Sequence, residues 1–202
     1  SSDVCSSDLV KPGNGGMNLE GILRAIKEGK IKSLLVLEDD IAAINDEWES
    51  ALGKLNLLIV ISTNKNKTTA LANIVLGSST FAEKHGTFVN FQGRVQRIRP
   101  AVSTEETDRA LDGMNMSRWD KFGTKFDRWN QGKKYNSKPA WKILSAISNQ
   151  LGSKMKYEMA EEVFADISHS VNAFKNLDYD KIGDLGIQVL NSEPQFTGTK
   201  NI

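Results

Sequence analysis

Ile31–Leu37 reads IKSLLVL, and its centre is apolar at consecutive positions rather than at alternate ones. A strand with this pattern is typical of a parallel sheet that is covered on both faces. Two further short apolar stretches, Leu57–Ile61 (LLIVI) and Asn73–Leu76 (NIVL), follow along the chain. Since the segments between these stretches can serve as crossover connections, we predict a βαβ-type half of a doubly wound parallel sheet.

Two amphipathic helices are predicted beside the first strand. Asn18 can cap a helix that begins at Leu19, and Gly29 provides the left-handed residue at its end. The second predicted helix follows the first strand and ends near Gly53. Its apolar residues at helical spacing are Ile41, Ile44, Trp48 and Leu52. The fold class predicted for this part of the chain is therefore α/β, with a partial doubly wound parallel sheet and flanking helices.

The chain changes character after Gly77. His85–Arg99 combines closely spaced glycines with alternating residues, which favours an extended, turn-rich segment over the carboxyl edge of the sheet. Residues 103–137 are polar and charged, and we interpret them as an insertion or surface segment that its aromatic residues anchor to the body. Residues 138–190 are predicted to form a helical C-terminal extension, and residues 191–202 a loose tail.

Two helices are expected within this C-terminal extension. Ser137 is the predicted cap of the first, Pro139 fits its opening turn, and Gly152 ends it. Both helices have an apolar face that can pack on a core. In the first this face consists of Trp141, Leu144, Ile147 and Leu151, and in the second of Met159, Val163, Phe164, Ile167, Val171 and Phe174.

The first nine residues differ from the rest. Ser1–Leu9 (SSDVCSSDL) is polar and aperiodic, and it lacks the basic start and the apolar centre of a signal peptide. Its codons correspond to those of a sequencing adapter, so we interpret it as a read-assembly artefact, and we expect the genuine sequence to begin within a longer protein. The only cysteine, Cys5, lies in this segment. Disulfides, iron–sulfur ligands and a cysteine nucleophile are therefore not expected in the remainder.

Composition argues against several classes of partner. Hydrophobic residues make up 39% of the chain and charged residues 25%, which is enough apolar side chain for a core. The net charge of +1 gives no broad electrostatic attraction to nucleic acid. Residues 118–134 mix basic and aromatic side chains, but the aspartates at 120 and 127 cancel part of that charge. No apolar run approaches the roughly 20 residues of a membrane helix. We expect no nucleic-acid partner and no direct membrane insertion.

General chemical motifs predict no active site. His85 and His169 lie in different elements without a partner at metal-ligand spacing, so neither a metal site nor a catalytic residue is predicted. The glycines at 13–16 follow no strand and lack the Lys-Ser/Thr of a phosphate-binding loop. The acidic run Glu38–Asp40 follows a predicted strand, where open α/β sheets bind ligands. It could hold a ribose hydroxyl or a cation, although a role in capping the next helix is favoured.

One longer motif resembles a known family. ANIVL at 72–76, FAEKHGTFVN at 81–90 and GRVQ at 93–96 resemble the signature of the molybdopterin oxidoreductases. The resemblance spans residues 18–175, and further segments similar to the family pattern are GKIKSLLVL at 29–37, KPAWKIL at 138–144, LG at 151–152 and AEEVF at 160–164. It implies that residues 10–102 are the C-terminal part of a molybdopterin-oxidoreductase-like α/β domain.

Within that family the pattern is most similar to the large peripheral-arm subunit of bacterial NADH-quinone oxidoreductases. This similarity implies a fragment of a respiratory iron–sulfur subunit that acts as a structural domain without its own cofactor, with the iron–sulfur clusters in an upstream portion. The expected partners are other subunits of the respiratory complex, peripherally on the cytoplasmic side of the bacterial inner membrane. The alternative is the cofactor-binding half of a molybdenum-dependent formate dehydrogenase-like oxidoreductase, which would bind molybdopterin.

The resemblance also implies which residues correspond to the cofactor-facing loop of relatives: Glu83, Gly86, Thr87, Asn90, Gly93 and Arg94. We expect these residues to be vestigial here and to fix the shape of the loop. The chain departs from the family pattern, since Gly77 replaces a proline, Asn73 an aspartate, and Glu38–Asp40 a glycine-containing turn. The loss of that turn argues against nucleotide binding at this edge.

Overall fold

The computed structural model describes residues 16–102, 104, 137–153 and 155–189. These residues form two compact units. The parallel unit comprises the described parts of Pro12–Lys84 and Pro100–Lys156, and the antiparallel unit those of His85–Arg99 and Tyr157–Ile202. This division differs from the predicted domain bounds, because His85–Arg99 belongs with the C-terminal helices rather than with the parallel sheet. The predicted insertion at 103–137 lies almost wholly outside the described residues, as do the first nine residues and the predicted tail.

The parallel unit contains the predicted sheet. Strands β1 (Ser33–Leu37), β2 (Leu57–Ser62) and β3 (Ile74–Gly77) lie side by side in that order. Both neighbouring pairs run parallel, with Val36 opposite Val60 and Val60 opposite Val75. The prediction of an α/β fold with a partial parallel sheet is confirmed, with only small shifts at the strand ends.

Within the described residues, four α-helices accompany this sheet. They are α1 (Leu19–Lys27), α2 (Asp46–Leu52), α3 (Lys67–Leu71) and α4 (Ala140–Gln150). The predicted bounds of α1 are confirmed, since Asn18 Oδ1 accepts a hydrogen bond from the Gly21 amide at 2.9 Å and Gly29 has φ +71°. Helix α3 was not predicted, because its five residues are polar and too few for a helical period to show. A capping box between Asn66 and Thr69 stabilises its first turn.

Two helix starts differ from the prediction. The single helix expected after β1 is instead a short 3-10 turn, Ile41–Ala43, followed by α2. Asn45 ends the first piece, because its side chain accepts a hydrogen bond from the Trp48 amide at 3.0 Å and so begins a new helix. The prediction that Ser137 caps α4 was wrong, because Pro139 occupies the cap position, without a side-chain cap bond.

The core of the parallel unit lies between β1, β2 and the helices. Trp48 and Leu52 of α2 are buried against Leu58 and Val60 of β2 and Ile26 of α1. Burial of each large apolar side chain contributes roughly 1.5–3 kcal/mol. This core explains why the alternate residues of β1 and β2 that face the helices are apolar.

The antiparallel unit is built on a second sheet. Strands β4 (Gly86–Val89), β5 (Arg94–Ile98) and β6 (Ile187–Gln188) lie in that order, and both pairs are antiparallel. Helix α5 (Ala160–Ser170), a 3-10 turn (Asn172–Phe174) and the short helix α6 (Tyr179–Ile182) pack with it. The extended character of His85–Arg99 was predicted correctly, but its pairing with the two-residue strand β6 was not.

A compact aromatic core holds the antiparallel unit together. Phe164 and Tyr179 are stacked with ring centroids 5.3 Å apart, and Phe174 meets Phe164 edge-on at 6.2 Å. Val95 and Ile182 complete the buried cluster. The predicted apolar face of α5 is therefore confirmed at Phe164, whereas Met159 and Ile167 on the same predicted face are 42% and 36% exposed.

The end of β1 is tied to the start of α3. Asp40 Oδ1 accepts hydrogen bonds from the Thr68 amide at 2.9 Å and the Thr68 hydroxyl at 2.7 Å. The same hydroxyl oxygen accepts a bond from the Ala42 amide at 2.9 Å. The Asp40 side chain therefore does not cap the 3-10 turn that follows it, contrary to the favoured prediction. It stabilises the first turn of α3 instead, through Thr68, which lies 28 residues further along the chain.

Two glycines in the antiparallel unit are required by the backbone. Gly93 has φ +78° at the turn between β4 and β5. Gly186, with φ +74°, passes so close to β5 that a Cβ atom would lie 2.5 Å from the Val95 carbonyl oxygen. Gly152, at the end of α4, has φ +91° but open space around the position of a Cβ atom.

We expect Gly186→Ala to destabilise the chain more than Gly152→Ala. Both substitutions impose left-handed backbone strain on alanine, about 1 kcal/mol. Only Gly186→Ala adds a clash with backbone, which raises the loss of unfolding free energy to about 3 kcal/mol. Urea denaturation of the two variants and the parent chain measures both values. Equal losses of unfolding free energy in the two variants would show that β5 shifts to accommodate the added Cβ atom without a loss of stability.

We expect Asp40→Asn to lower stability in a pH-dependent manner. The Thr68 side-chain hydrogen bond lowers the pKa of Asp40 from its ordinary value. The stabilisation by this carboxylate is therefore present above about pH 4 and is lost as the pH falls through the lowered pKa. The difference in unfolding free energy between the parent and Asp40→Asn should shrink over that range. Asp39→Asn is the matched control, because within the described part of the chain Asp39 accepts a hydrogen bond only from the neighbouring Asp40 amide.

Candidate functional site

The carboxyl edge of the parallel sheet gathers polar side chains from three strand ends. Glu38 follows β1, Ser62 ends β2, and Ser78 and Ser79 follow β3. Because all three strands run parallel, their carboxyl ends meet at one edge, where open α/β sheets bind ligands. This edge is the candidate site.

An ion pair lies at the centre of the edge. The Lys84 ammonium is 3.0 Å from each carboxylate oxygen of Glu38, and the Ser78 hydroxyl donates to Glu38 Oε1 at 3.0 Å. The Lys84 side chain is only 15% exposed and that of Glu38 31%. The sequence alone did not predict this contact, because its partners lie 40 and 46 residues apart along the chain.

Glu38 has an unusual backbone conformation. Its φ of +50° lies in the left-handed region, which glycine adopts readily and other residues rarely do. The Glu38 amide donates to the Ile61 carbonyl at 2.7 Å, so the bend follows directly from the β1–β2 pairing. The side-chain contacts with Ser78 and Lys84 offset the strain of this conformation.

The end of β3 is tied to the segment before α4. Ser79 is fully buried, and its amide donates to the Lys138 carbonyl at 2.9 Å. Its hydroxyl bonds the Ser137 hydroxyl at 3.2 Å. The Ser62 hydroxyl donates to the Asn64 carbonyl at 2.8 Å and so closes the turn after β2. Each of these serine hydroxyls bonds another part of the edge.

The residues predicted from the family resemblance are divided between the two units. Glu83 lies in the parallel unit, where its Oε2 accepts hydrogen bonds from the Thr80 amide at 2.9 Å and hydroxyl at 3.2 Å. The other candidates lie in the antiparallel unit: Gly86, Thr87, Asn90, Gly93 and Arg94. Glu83 therefore fixes its own 3-10 turn, and its expected role as a vestigial residue without a cofactor stays a prediction.

Three of these residues shape the turn between β4 and β5. Asn90 Oδ1 accepts hydrogen bonds from the Gln92 and Arg94 amides at 3.0 and 2.9 Å. Gly93 supplies the left-handed residue, and Arg94 Nη1 donates to the Leu185 carbonyl at 3.1 Å. Gly86 lies within β4 opposite Ile98, without a positive φ, so it does not shape this turn.

Thr87 belongs to a polar cluster that the sequence did not predict. Its hydroxyl lies 3.0 Å from the Tyr179 hydroxyl. Arg97, opposite Thr87 on β5, lies 4.5 Å above the Tyr179 ring and donates to Glu161 at 2.5 Å. A cavity of about 510 Å³ adjoins this cluster, between α5 and residues 175–181. In the sequence, the only signal for this cluster is the alternation of side chains along the paired strands, at Thr87, Val95 and Arg97. That alternation does not show which helical residues these side chains contact.

His85 lies near the same cluster. Burial, the largest cause, lowers its pKa, while the Glu161 carboxylate opposes that shift and Arg97 and Arg99 add to it. Its Nδ1 is buried and has no hydrogen-bond partner within the described residues. The described ranges also contain no group of three His, Cys, Asp or Glu side chains that could hold a metal ion. We assign His85 a structural role.

We expect the stability of the chain to fall in mild acid because of His85. Since its folded pKa is lowered, its contribution to stability is complete above about pH 6.5 and is lost as the pH falls toward the folded value. Urea unfolding between pH 7.5 and 5 should therefore show a smaller loss in His85→Gln than in the parent chain. His169→Gln is the control, because His169 is exposed on α5. Equal pH dependence in the parent and His85→Gln would contradict this role.

Comparison with known proteins extends the family resemblance. The "F420-dependent formate dehydrogenase 2 subunit alpha" of Methanococcus maripaludis is 28% identical over 169 residues, which is 82% of this chain and 21% of that protein. The "Putative formate dehydrogenase YrhE" of Bacillus subtilis is 25% identical over 171 residues, 83% of this chain and 14% of that protein. This chain thus spans about a fifth or less of the length of these curated relatives.

The comparisons decide only part of the predicted identity. These relatives carry the names of formate dehydrogenases, so the prediction of an NADH-quinone oxidoreductase subunit is not supported. The model of one family, described as molybdopterin oxidoreductase, matches residues 12–110, which include the whole of the three-stranded parallel sheet. Residues 12–110 are therefore a domain of the molybdopterin oxidoreductase family.

Proposed function

We propose that this chain is part of a formate dehydrogenase-like oxidoreductase. The observation that carries the proposal is the match to proteins with that name over 82% and 83% of the chain, well beyond the family domain. The match therefore also takes in helices of the C-terminal part, which a shared sheet alone would not explain. Since the chain spans only a small part of these relatives, the activity of the whole protein is part of the proposal.

The described residues contribute a scaffold to this function. Formate oxidation releases carbon dioxide, one proton and two electrons, so it needs a redox centre, and a molybdopterin group would supply it. At the carboxyl edge, the donors of Ser78 and Lys84 bond Glu38, and those of Thr68 bond Asp40. We therefore assign no catalytic residue to this edge.

The end of β1 does not fit the phosphate-bearing part of a pterin nucleotide. Such a group needs donors and positive charge, which a helix N-terminus or a lysine commonly provides. Here three consecutive residues carry carboxyl groups: Glu38, Asp39 and Asp40. Two of these groups already accept hydrogen bonds, Glu38 from Ser78 and Asp40 from Thr68. A phosphate would meet like charge, which is unfavourable at short distance. We derive no catalytic step through the cofactor at this position.

The engaged donors favour a second candidate function. In it, the chain is a cofactor-free structural domain of a larger electron-transfer protein, such as the large subunit of an NADH-quinone oxidoreductase. Its partners would then be other subunits of a complex at the cytoplasmic face of the inner membrane. None of the helices within the described ranges has the length and apolar character needed to cross a bilayer.

The two candidates are separated by assays on the intact protein. We expect the purified protein to hold molybdenum or tungsten at a molar ratio near one, measured by mass spectrometry, and to reduce an artificial dye when formate is added. A folded intact protein with iron–sulfur absorbance but neither metal nor formate-dependent reduction would exclude the first candidate and favour the second. NADH in place of formate serves as the matched electron donor in the same assay.

A further inference from the structure

We propose that Glu38 is an internal anion that occupies an anion-binding site formed by Ser78 and Lys84. An inorganic anion such as phosphate then reaches these two donors only by displacing the Glu38 side chain. The inference goes beyond the proposed function and does not depend on it, because it concerns a site within this chain and a free anion. It explains why this edge, placed where ligands bind, does not fit a phosphate group.

The contacts around Glu38 are those of a bound anion. The Lys84 ammonium lies at the same distance, 3.0 Å, from both carboxylate oxygens, and the Ser78 hydroxyl donates to one of them at 3.0 Å. A cation and a hydroxyl that converge on two oxygens would bind a phosphate in the same way. Glu38 therefore takes the place that an external anion would have.

The donors are sheltered rather than freely hydrated. Ser78 is 7% exposed, and the Lys84 side chain is 15% exposed. A charge in such a position interacts more strongly with a partner than a fully hydrated one does. Removal of the Glu38 carboxylate would leave the ammonium in these surroundings without its counter-charge, and a small anion in solution could replace it.

The backbone does not need a glutamate at this position. Glu38 has φ +50°, which favours glycine, and its amide bond to the Ile61 carbonyl is independent of the side chain. Glu38→Gly therefore keeps the bend after β1 and relieves its strain. This substitution removes the internal anion while it leaves Ser78 and Lys84 in place.

Titration with inorganic phosphate tests the proposal on the 202-residue chain. We expect Glu38→Gly to bind phosphate at least ten-fold more tightly than the parent, as measured by calorimetry or by shifts of the Ser78 and Ser79 amide signals. The double variant Glu38→Gly/Lys84→Gln should lose this gain. Glu38→Gln, which keeps the shape of the side chain without its charge, should show a smaller gain and serves as a second test if Glu38→Gly folds poorly.

The matched control is Asp39→Gly. It changes the net charge by the same amount at the adjacent position, but among the described residues the Asp39 carboxylate accepts a bond only from the Asp40 amide. The proposal predicts no gain in this variant. An equal gain in Asp39→Gly, a gain that persists without Lys84, or no gain in folded Glu38→Gly and Glu38→Gln would each overturn it. Such a result would leave the formate and metal assays unaffected, because these use the intact protein.

Discussion

Parallel pairing of β2 with both of its neighbours is the constraint on which the parallel unit depends. It requires each connection to return along the sheet, which α2 and α3 do within short segments. It also brings the ends of β1, β2 and β3 to one edge, where their polar groups must find partners as the chain turns. Glu38 and Asp40 bond residues that follow other strands, and Ser79 bonds the segment before α4. The backbone geometry of the parallel sheet is therefore sufficient to bring these polar groups together at the candidate site.

The strands could be predicted because their signal is local. Buried parallel strands need apolar side chains on both faces, and Leu34–Leu37 and Leu57–Ile61 show this in consecutive residues. The features that the sequence did not predict depend either on competition between two local signals or on contacts between residues far apart in the chain. The Asn45 side chain caps the first turn of α2. This stabilisation of a new helix start outweighs the apolar periodicity, which favours one continuous helix. Pairing of β6 with β5 joins residues about ninety positions apart, and its two-residue length leaves no pattern to recognise.

Sequence reasoning predicts less of the candidate site than of the fold. The acidic run after β1 could be recognised as a feature at a sheet edge, but the sequence does not say whether its carboxylates face solvent, a helix or a lysine. The structure pairs Glu38 with Lys84 and Asp40 with Thr68, across 46 and 28 residues. Lys84 follows β3 in the chain, so it lies beside Glu38 only when β3 is part of the sheet. Sequence reasoning could thus place the acids, whereas only the assembled sheet determines what they bind.

Family membership and local chemistry must be argued separately in this chain. The parallel sheet lies within residues 12–110, which match the molybdopterin oxidoreductase family, and the named relatives support the proposal of a formate dehydrogenase-like whole protein. Yet a fold supports many sites, and a function has to be argued from the groups that a site presents. At this edge the Glu38 carboxylate contacts the Lys84 ammonium of the same chain. If Glu38 serves as the anion of its own site, the domain can keep the family sheet while any pterin nucleotide of the whole protein is held by other residues.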